Sequence, residues 1–263
     1  MASDAHAHPF DLRKLEGEPP RSREGIAIAA SAWSAEEWEY HRALRDQRTR
    51  GGGPPLVLCF AVHPQLPATD GSAVQRSLET LEQLVAEHEI SAVGEAGFDL
   101  YDGTFRTTED LQVRLFKAQL ALARRARLPM VLHVRKAMDH VFALSRPLSE
   151  LPSVIFHSYS GTLGEAEALL RRGVNAYFSF GTTIILNHKQ AMTVCAKLPP
   201  ERLLFETDAP YQSLRGRPYS VPEDLYTIIE AAARLRREAT SPVAEKEELE
   251  RISDENFRKA YGV

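Results

Sequence analysis

The chain of 263 residues holds only 2 cysteines, Cys59 and Cys195. Two thiols so far apart build no disulfide framework, and each reads as a separate buried residue of a reducing compartment. No run reaches the roughly 18 consecutive apolar residues that a membrane span needs. The first ten positions make a poor secretory leader, because Asp4, His6 and His8 interrupt them and no apolar stretch follows. These absences favour the cytoplasm and exclude a membrane role. A basic surplus is missing too, since 32 Lys and Arg against 36 Asp and Glu leave a net charge of −4. Extended duplex binders carry a positive excess, so any contact with nucleic acid should be local, on a small basic rim. No Gly-x-Gly-x-x-Gly motif opens a first helix, which weakens a dinucleotide-binding reading. Neither a linker nor an internal repeat divides the sequence, and residues 1–263 read as one domain, expected to be a monomer.

What the sequence does contain is a recurring short apolar run. SDAHAH (3–8), GIAIAAS (25–31), PLVLCFAVH (55–63) and ISAVGEAGFD (90–99) are the first four. LPMVLHV (128–134), PSVIFHS (152–158), NAYFSFG (175–181) and RLLFETDA (202–209) complete the series. Runs of this length suit parallel strands buried on both faces. Helical periodicity lies between most of them. Val74, Leu78, Leu81 and Val85 recur at three and four within 72–89, as do Leu111, Leu115, Ala118 and Leu122 within 107–127. Alternating strands and helices imply right-handed βαβ units. Eight of them suggest a closed (β/α)8 TIM barrel, with an open doubly wound sheet as the alternative. The first crossover reads as irregular, because PFDLRKLEGEPPRSRE (9–24) has two consecutive prolines and no helical period. The tail, about 244–261, reads as a last helix on the barrel exterior.

Five of the 9 histidines end predicted strands: His6, His8, His63, His133 and His157. Glu95 in the fourth strand and Asp208 in the eighth join them. Taken singly, each has an ordinary reading as a hydrogen-bonded structural residue or a polar strand cap. In a barrel, however, the C-terminal ends of the strands converge on one face, so these groups would meet. Buried ionisable side chains are costly without partners, and a metal centre would give partners to all of them. His6 and His8, two apart on a strand, point the same way and can reach one ion. Glu206 shares a face with Asp208; it either supports the site from below or pairs with a barrel lysine or arginine.

The stretches DAHAH, AVHPQ (61–65), GEAGFDL (94–100), LPMVLHVRKA (128–137), FHSYSGT (156–162), LLFETDAPY (203–211) and ENF (255–257) together resemble the TatD-type metal-dependent hydrolases, deoxyribonucleases of the amidohydrolase-like TIM barrels. The resemblance implies a dinuclear centre. His6, His8 and Asp208 would hold one metal, Glu95 would bridge, and His133 and His157 would hold the second. His63 matches a family histidine near the site that is not a core ligand, and is assigned either to substrate phosphate or to support of the ligands from behind. Three departures stand out. The segment after the first strand is broken by prolines where the family has a helix. The usual HCFSG is HSYSG here, and the usual RGxRNEP is RGRPYSVP (215–222).

Two divalent ions can bring the pKa of water toward neutrality and clamp the oxygens of an in-line displacement, at a separation of about 3.5–4 Å. Glu95 and Asp208 are the catalytic candidates, with Asp208 as the base that orients water and takes its proton. Histidine-rich ligation favours zinc, manganese, iron or cobalt over magnesium, whereas the family is commonly described as magnesium-dependent, which leaves the activating ion open among Zn, Mn and Mg. Arg135 and Lys136 follow His133, and Arg215 and Arg217 follow Asp208. Four cations there would suit a phosphodiester, unless the first two merely start a helix and the others solvate a loop. Tyr211 and Tyr219 are weaker candidates for stacking on bases. The expected activity is therefore a metal-dependent nuclease cleaving phosphodiester bonds of DNA, with a 3′-end exonuclease on single strands as its expected form. A hydrolase of an amide, ester or lactone on the same scaffold is the alternative.

Overall fold

The computed structural model describes residues 1–16 and 25–263. Eight parallel strands run in sequence order: β1 (Ala2–Ala7), β2 (Ile26–Ala32), β3 (Leu56–Phe60), β4 (Ala92–Asp99), β5 (Met130–Arg135), β6 (Val154–Phe156), β7 (Ala176–Phe180) and β8 (Leu203–Phe205). A helix follows every strand: α1 (Pro9–Glu16), α2 (Ala35–Arg50), α3 (Val74–Ala86), α4 (Glu109–Ala126), α5 (Met138–Ala143), α6 (Leu163–Arg171), α7 (Lys189–Lys197) and α8 (Asp224–Glu238). A further long helix, α9 (Lys246–Tyr261), follows α8. The seam between β8 and β1 is closed by backbone bonds, from Asp208 N–H to His6 O at 3.0 Å and from His8 N–H to Ala209 O at 2.7 Å. Asp4 reinforces it by accepting from Thr207 N–H at 2.9 Å and Thr207 Oγ1–H at 2.5 Å. This is the expected TIM barrel. Among the described residues, no helix is long and apolar enough to cross a membrane.

Alternation along the strands sorts the side chains. Ala27 and Ala29, Val57 and Cys59, Ala92, Val131, Ile155, Tyr177 and Leu204 meet inside the barrel. Ile26 and Ile28, Leu58 and Phe60, Phe98 and Phe178 face outward into the layer beneath the helices. Small residues on β1 and β2 leave room for the larger Ile155 and Tyr177 opposite.

Two expectations need correction. The first crossover is not wholly irregular, because 9–16 forms α1. Proline is compatible with a first helical position, where its missing N–H has no partner to lose. Phe10 and Leu12 are buried, and the Phe10 N–H, unsatisfied within the helix, donates to His41 Nε2 at 3.2 Å. A helix of two turns is too short to display a period. The paired prolines, Pro19 and Pro20, lie outside the described residues. The last helix does not stay on the exterior either. Its final turn brings Phe257, Ala260 and Tyr261 into the inward-facing cluster, and Tyr261 Oη donates to Ala5 O at 2.7 Å. The barrel floor requires an apolar plug, and this turn supplies it.

Candidate metal centre

The groups expected at the C-terminal face of the barrel do meet there. Strands β6 and β8 are only three residues long, so His157 and Asp208 stand just past the sheet, where the backbone can turn sharply. Ser158 (φ 45°), Asp208 (φ 54°) and Gln212 (φ 51°) adopt left-handed conformations that are uncommon for residues with side chains. Strain of this kind gathers at functional sites. Gly97 lets β4 approach β5: its φ is 147°, and a Cβ there would stand 2.0 Å from His133 O. The register of β4 shifts between Val93 and Ala96, turning Glu95 inward.

Glu95 is the hub. Its Oε2 lies 3.2 Å from His6 Nε2 and 3.5 Å from His8 Nε2. Asp208 Oδ1 lies 3.6 and 3.4 Å from the same two nitrogens, which are themselves 3.2 Å apart. Ligands about 2.1 Å from a tetrahedral ion stand about 3.4 Å from one another. The four donors therefore fit one cation. The other oxygen, Oε1, lies 2.6 Å from His133 Nδ1 and 3.0 Å from His157 Nε2, so a second donor group forms around this second oxygen of the same carboxylate.

Hydrogen bonds from behind select which ring nitrogen is available, the usual device for orienting a ligating histidine. His157 Nδ1 bonds to Glu206 Oε1 at 3.0 Å, leaving Nε2 for an ion. Glu206 thus supports the site, and among the described residues it pairs with no lysine or arginine. Ser31 Oγ lies 3.3 Å from His6 Nδ1. Asp99 Oδ2 receives His133 Nε2 at 3.1 Å, leaving Nδ1. His63 is different. Its Nδ1 accepts from Gln65 N–H at 3.2 Å, which puts the proton of the neutral ring on Nε2, 3.3 Å from Glu95 Oε1. His63 faces the site as a donor, and this separates it from the four other histidines.

The electrostatics fit a cation site. Burial opposes the Glu95 charge, but His157, His63 and His6 hold its carboxyl well below the usual range. Burial likewise opposes Asp208, which His157 and the bond to His8 keep ionised. Burial pulls His8 down, yet Asp208 and Glu95 push it up to about 9. His157 is raised well above its ordinary value, burial notwithstanding, by Glu95, Glu206 and Asp208. Protons on these rings occupy the place of cations, and a bound metal displaces them.

The centre opens into a cavity of about 1000 Å³. His63, Arg135, Lys136 and Tyr211 line it, whereas Arg215, Arg217 and Tyr219 do not. Arg217 instead binds the Asp224 carboxylate, Arg215 is exposed, and Tyr219 packs on the core. The expected four-cation rim is thus reduced to two. Sequence reasoning missed Asp99, Ser31, Gln65 and Gln212. Asp99 had a signal, standing four residues beyond Glu95 on the same face of a strand. So had Ser31, in step with inward Ala27 and Ala29. Gln65, which donates to Asp99 Oδ2 at 2.8 Å, and Gln212, which donates to Asp208 Oδ2 at 2.6 Å, lie in loops and had none.

A family model described as TatD related DNase matches residues 3–262. The 3′-5′ ssDNA/RNA exonuclease TatD of Klebsiella pneumoniae is 32% identical over 212 residues, covering 77% of this chain and 75% of its own. The uncharacterized metal-dependent hydrolase YjjV of Escherichia coli is 31% identical over 256 residues, 92% of this chain and 93% of its own. The crystal structure of that TatD homologue superposes with a TM-score of 0.82 at 28% identity, covering 100% of this chain and 98% of that one.

Proposed function

The chain belongs to the TatD-related DNase family, and on that premise we propose that its cavity is a two-cation phosphodiesterase site that trims single-stranded nucleic acid from one end. The observation that carries this reading is Glu95, whose two oxygens face two separate donor groups, His6 with His8 and His133 with His157. His6, His8 and Asp208 would hold one cation, His133 and His157 the other, with Glu95 between them. Imidazole donors suit Zn or Mn better than Mg, which prefers oxygen ligands. Bound there, the two cations supply Lewis acidity and neutralise the charge that develops on the phosphoryl oxygens.

The chain's own residues do the rest. Gln212 donates to Asp208 Oδ2 and so fixes the carboxylate, which orients the attacking water and takes its proton. His63 Nε2–H donates to a phosphoryl oxygen of the bond being cut, and Arg135 pairs with substrate charge farther along the cavity wall. A cavity of about 1000 Å³ has room for a strand end. The reading assigns this activity to a monomer in the cytoplasm, in keeping with the unpaired thiols of Cys59 and Cys195.

The test is hydrolysis of end-labelled single-stranded DNA and RNA with Mn²⁺ or Zn²⁺, comparing wild type with Glu95→Ala. Removing the shared carboxylate should lower the rate at least about a hundredfold. Equal cleavage by the two proteins defeats the mechanism. A wild type that ignores nucleic acid but hydrolyses an amide or lactone defeats the substrate assignment.

A further inference from the structure

The charge around the cavity mouth is lopsided. Among the described residues that line it, Arg135 and Lys136 are the only arginine or lysine, while the carboxylates of Asp11 and Glu165 stand elsewhere on its wall. Both cations lie over a single ring. Arg135 Cζ is 4.5 Å and Lys136 Nζ 4.5 Å from the centroid of Tyr101, which is 55% exposed just beyond β4. An aromatic face attracts cations, so this ring gathers two like charges that would otherwise repel. The backbone is bent in the same cause, with Lys136 at φ 54°, a left-handed conformation that a residue with a side chain rarely adopts. Arg135 is also tethered from behind. Its Nη1 lies 4.0 Å from Asp99 Oδ2, the oxygen that receives His133 Nε2. The pair is therefore linked through one carboxylate to a histidine of the centre.

An isolated surface lysine is solvated and free to turn. Two cations collected over one ring at the edge of a cavity form a preorganised anion subsite. We propose that Tyr101, Arg135 and Lys136 bind the phosphodiester next to the one being cut, with Tyr101 positioning the two cations. The proposal rests on the nuclease reading and adds to it. It makes the preferred substrate a strand with at least two phosphodiesters, and it sets the side from which the strand enters, away from Asp11 and Glu165.

The experiment compares an oligonucleotide with bis(4-nitrophenyl) phosphate, a single diester with no neighbouring phosphate. Wild type, Lys136→Gly, Tyr101→Leu and Tyr101→Phe are assayed with Mn²⁺ across a salt series. Glycine at 136 suits the left-handed backbone, and phenylalanine at 101 keeps the ring face. Lys136→Gly and Tyr101→Leu should each raise KM for the oligonucleotide about tenfold, and Lys136→Gly should flatten its log–log salt slope by about 0.7, the value of one single-strand phosphate contact. Their effect on the small diester should be several-fold smaller, and Tyr101→Phe should behave as wild type. Equal losses on both substrates, or an unchanged oligonucleotide KM, overturn the subsite while leaving the nuclease reading intact. Wild-type hydrolysis of the small diester without cleavage of the oligonucleotide overturns both.

Discussion

Asp99 shows how much of the centre depends on a residue that touches no cation. Its Oδ2 accepts from His133 Nε2 and Gln65 Nε2, and its Oδ1 accepts from Tyr101 N–H at 3.0 Å. Every neighbour is a donor, and the hydrogen bonds from His133 and Gln65 hold the carboxyl ionised although burial opposes its charge. An asparagine of the same shape must turn its amide hydrogens toward at least one of these donors. The His133 tautomer is then no longer fixed with Nδ1 toward Glu95. Asp99→Asn should weaken metal binding about 10- to 100-fold, the usual effect of losing a carboxylate behind a ligating histidine. Competition with a chromogenic chelator measures this, and an affinity equal to wild type would show that Glu95 alone orients His133. The sequence pointed to Glu95, but Asp99 was passed over although it lies in the same GEAGFDL stretch. Alternation along the strand puts it on the same face as Glu95, and only the fold brings His133 against it.

At the level of elements, the strands were legible and their connections less so. Apolar runs buried on both faces mark β2, β3 and β5 clearly, and long periodic segments mark α3 and α4. Two turns of helix at α1 carry too little pattern, and no local signal says that the end of α9 enters the barrel. That last turn is a structural commitment, with the Tyr261 ring tilted at 51° against Phe257 and its hydroxyl bonding to Ala5 O beneath the small side chains of β1 and β2. Tyr261→Phe leaves a buried carbonyl without its donor and should cost about 1 kcal/mol. Tyr261→Ala also opens a cavity in the floor and should cost about 3–5 kcal/mol. Urea denaturation measures both. If the alanine variant unfolds at the wild-type midpoint, the turn is an accessory and the barrel floor is closed by the strands' own side chains. Arg236 plays a comparable part on the outside. Its buried guanidinium donates to the carbonyls of Cys195 and Leu198, near the end of α7 where no helix bond can reach, and to Val243 O in the segment before α9.

For the molecule as a whole, a barrel brings strand ends together, so residues scattered from His6 to Asp208 could be grouped before any coordinates were known. The rim obeys no such rule, and Arg215 and Arg217, close in sequence to Asp208, turn away from the mouth. The same closure makes the fold sensitive to acid, through His41. This ring is fully buried on α2, accepts the Phe10 N–H that begins α1, and is pushed by burial down to about 3. An unfolded chain protonates the same ring near 6.5. The folded value is depressed, so the neutral ring's contribution is fully present above about pH 6.5. It is lost progressively as the pH falls toward 3, because the unfolded state then binds the extra proton. A shift of this size amounts to several kcal/mol over that window. His41→Gln keeps an acceptor for Phe10 N–H without the titrating ring, so it should flatten the acid side of the stability curve while lowering stability modestly at pH 7. Urea midpoints between pH 7 and pH 4 read this directly. Parallel curves for the two proteins would assign the acid loss to other groups, with the carboxylates around His8 and His157 next in line.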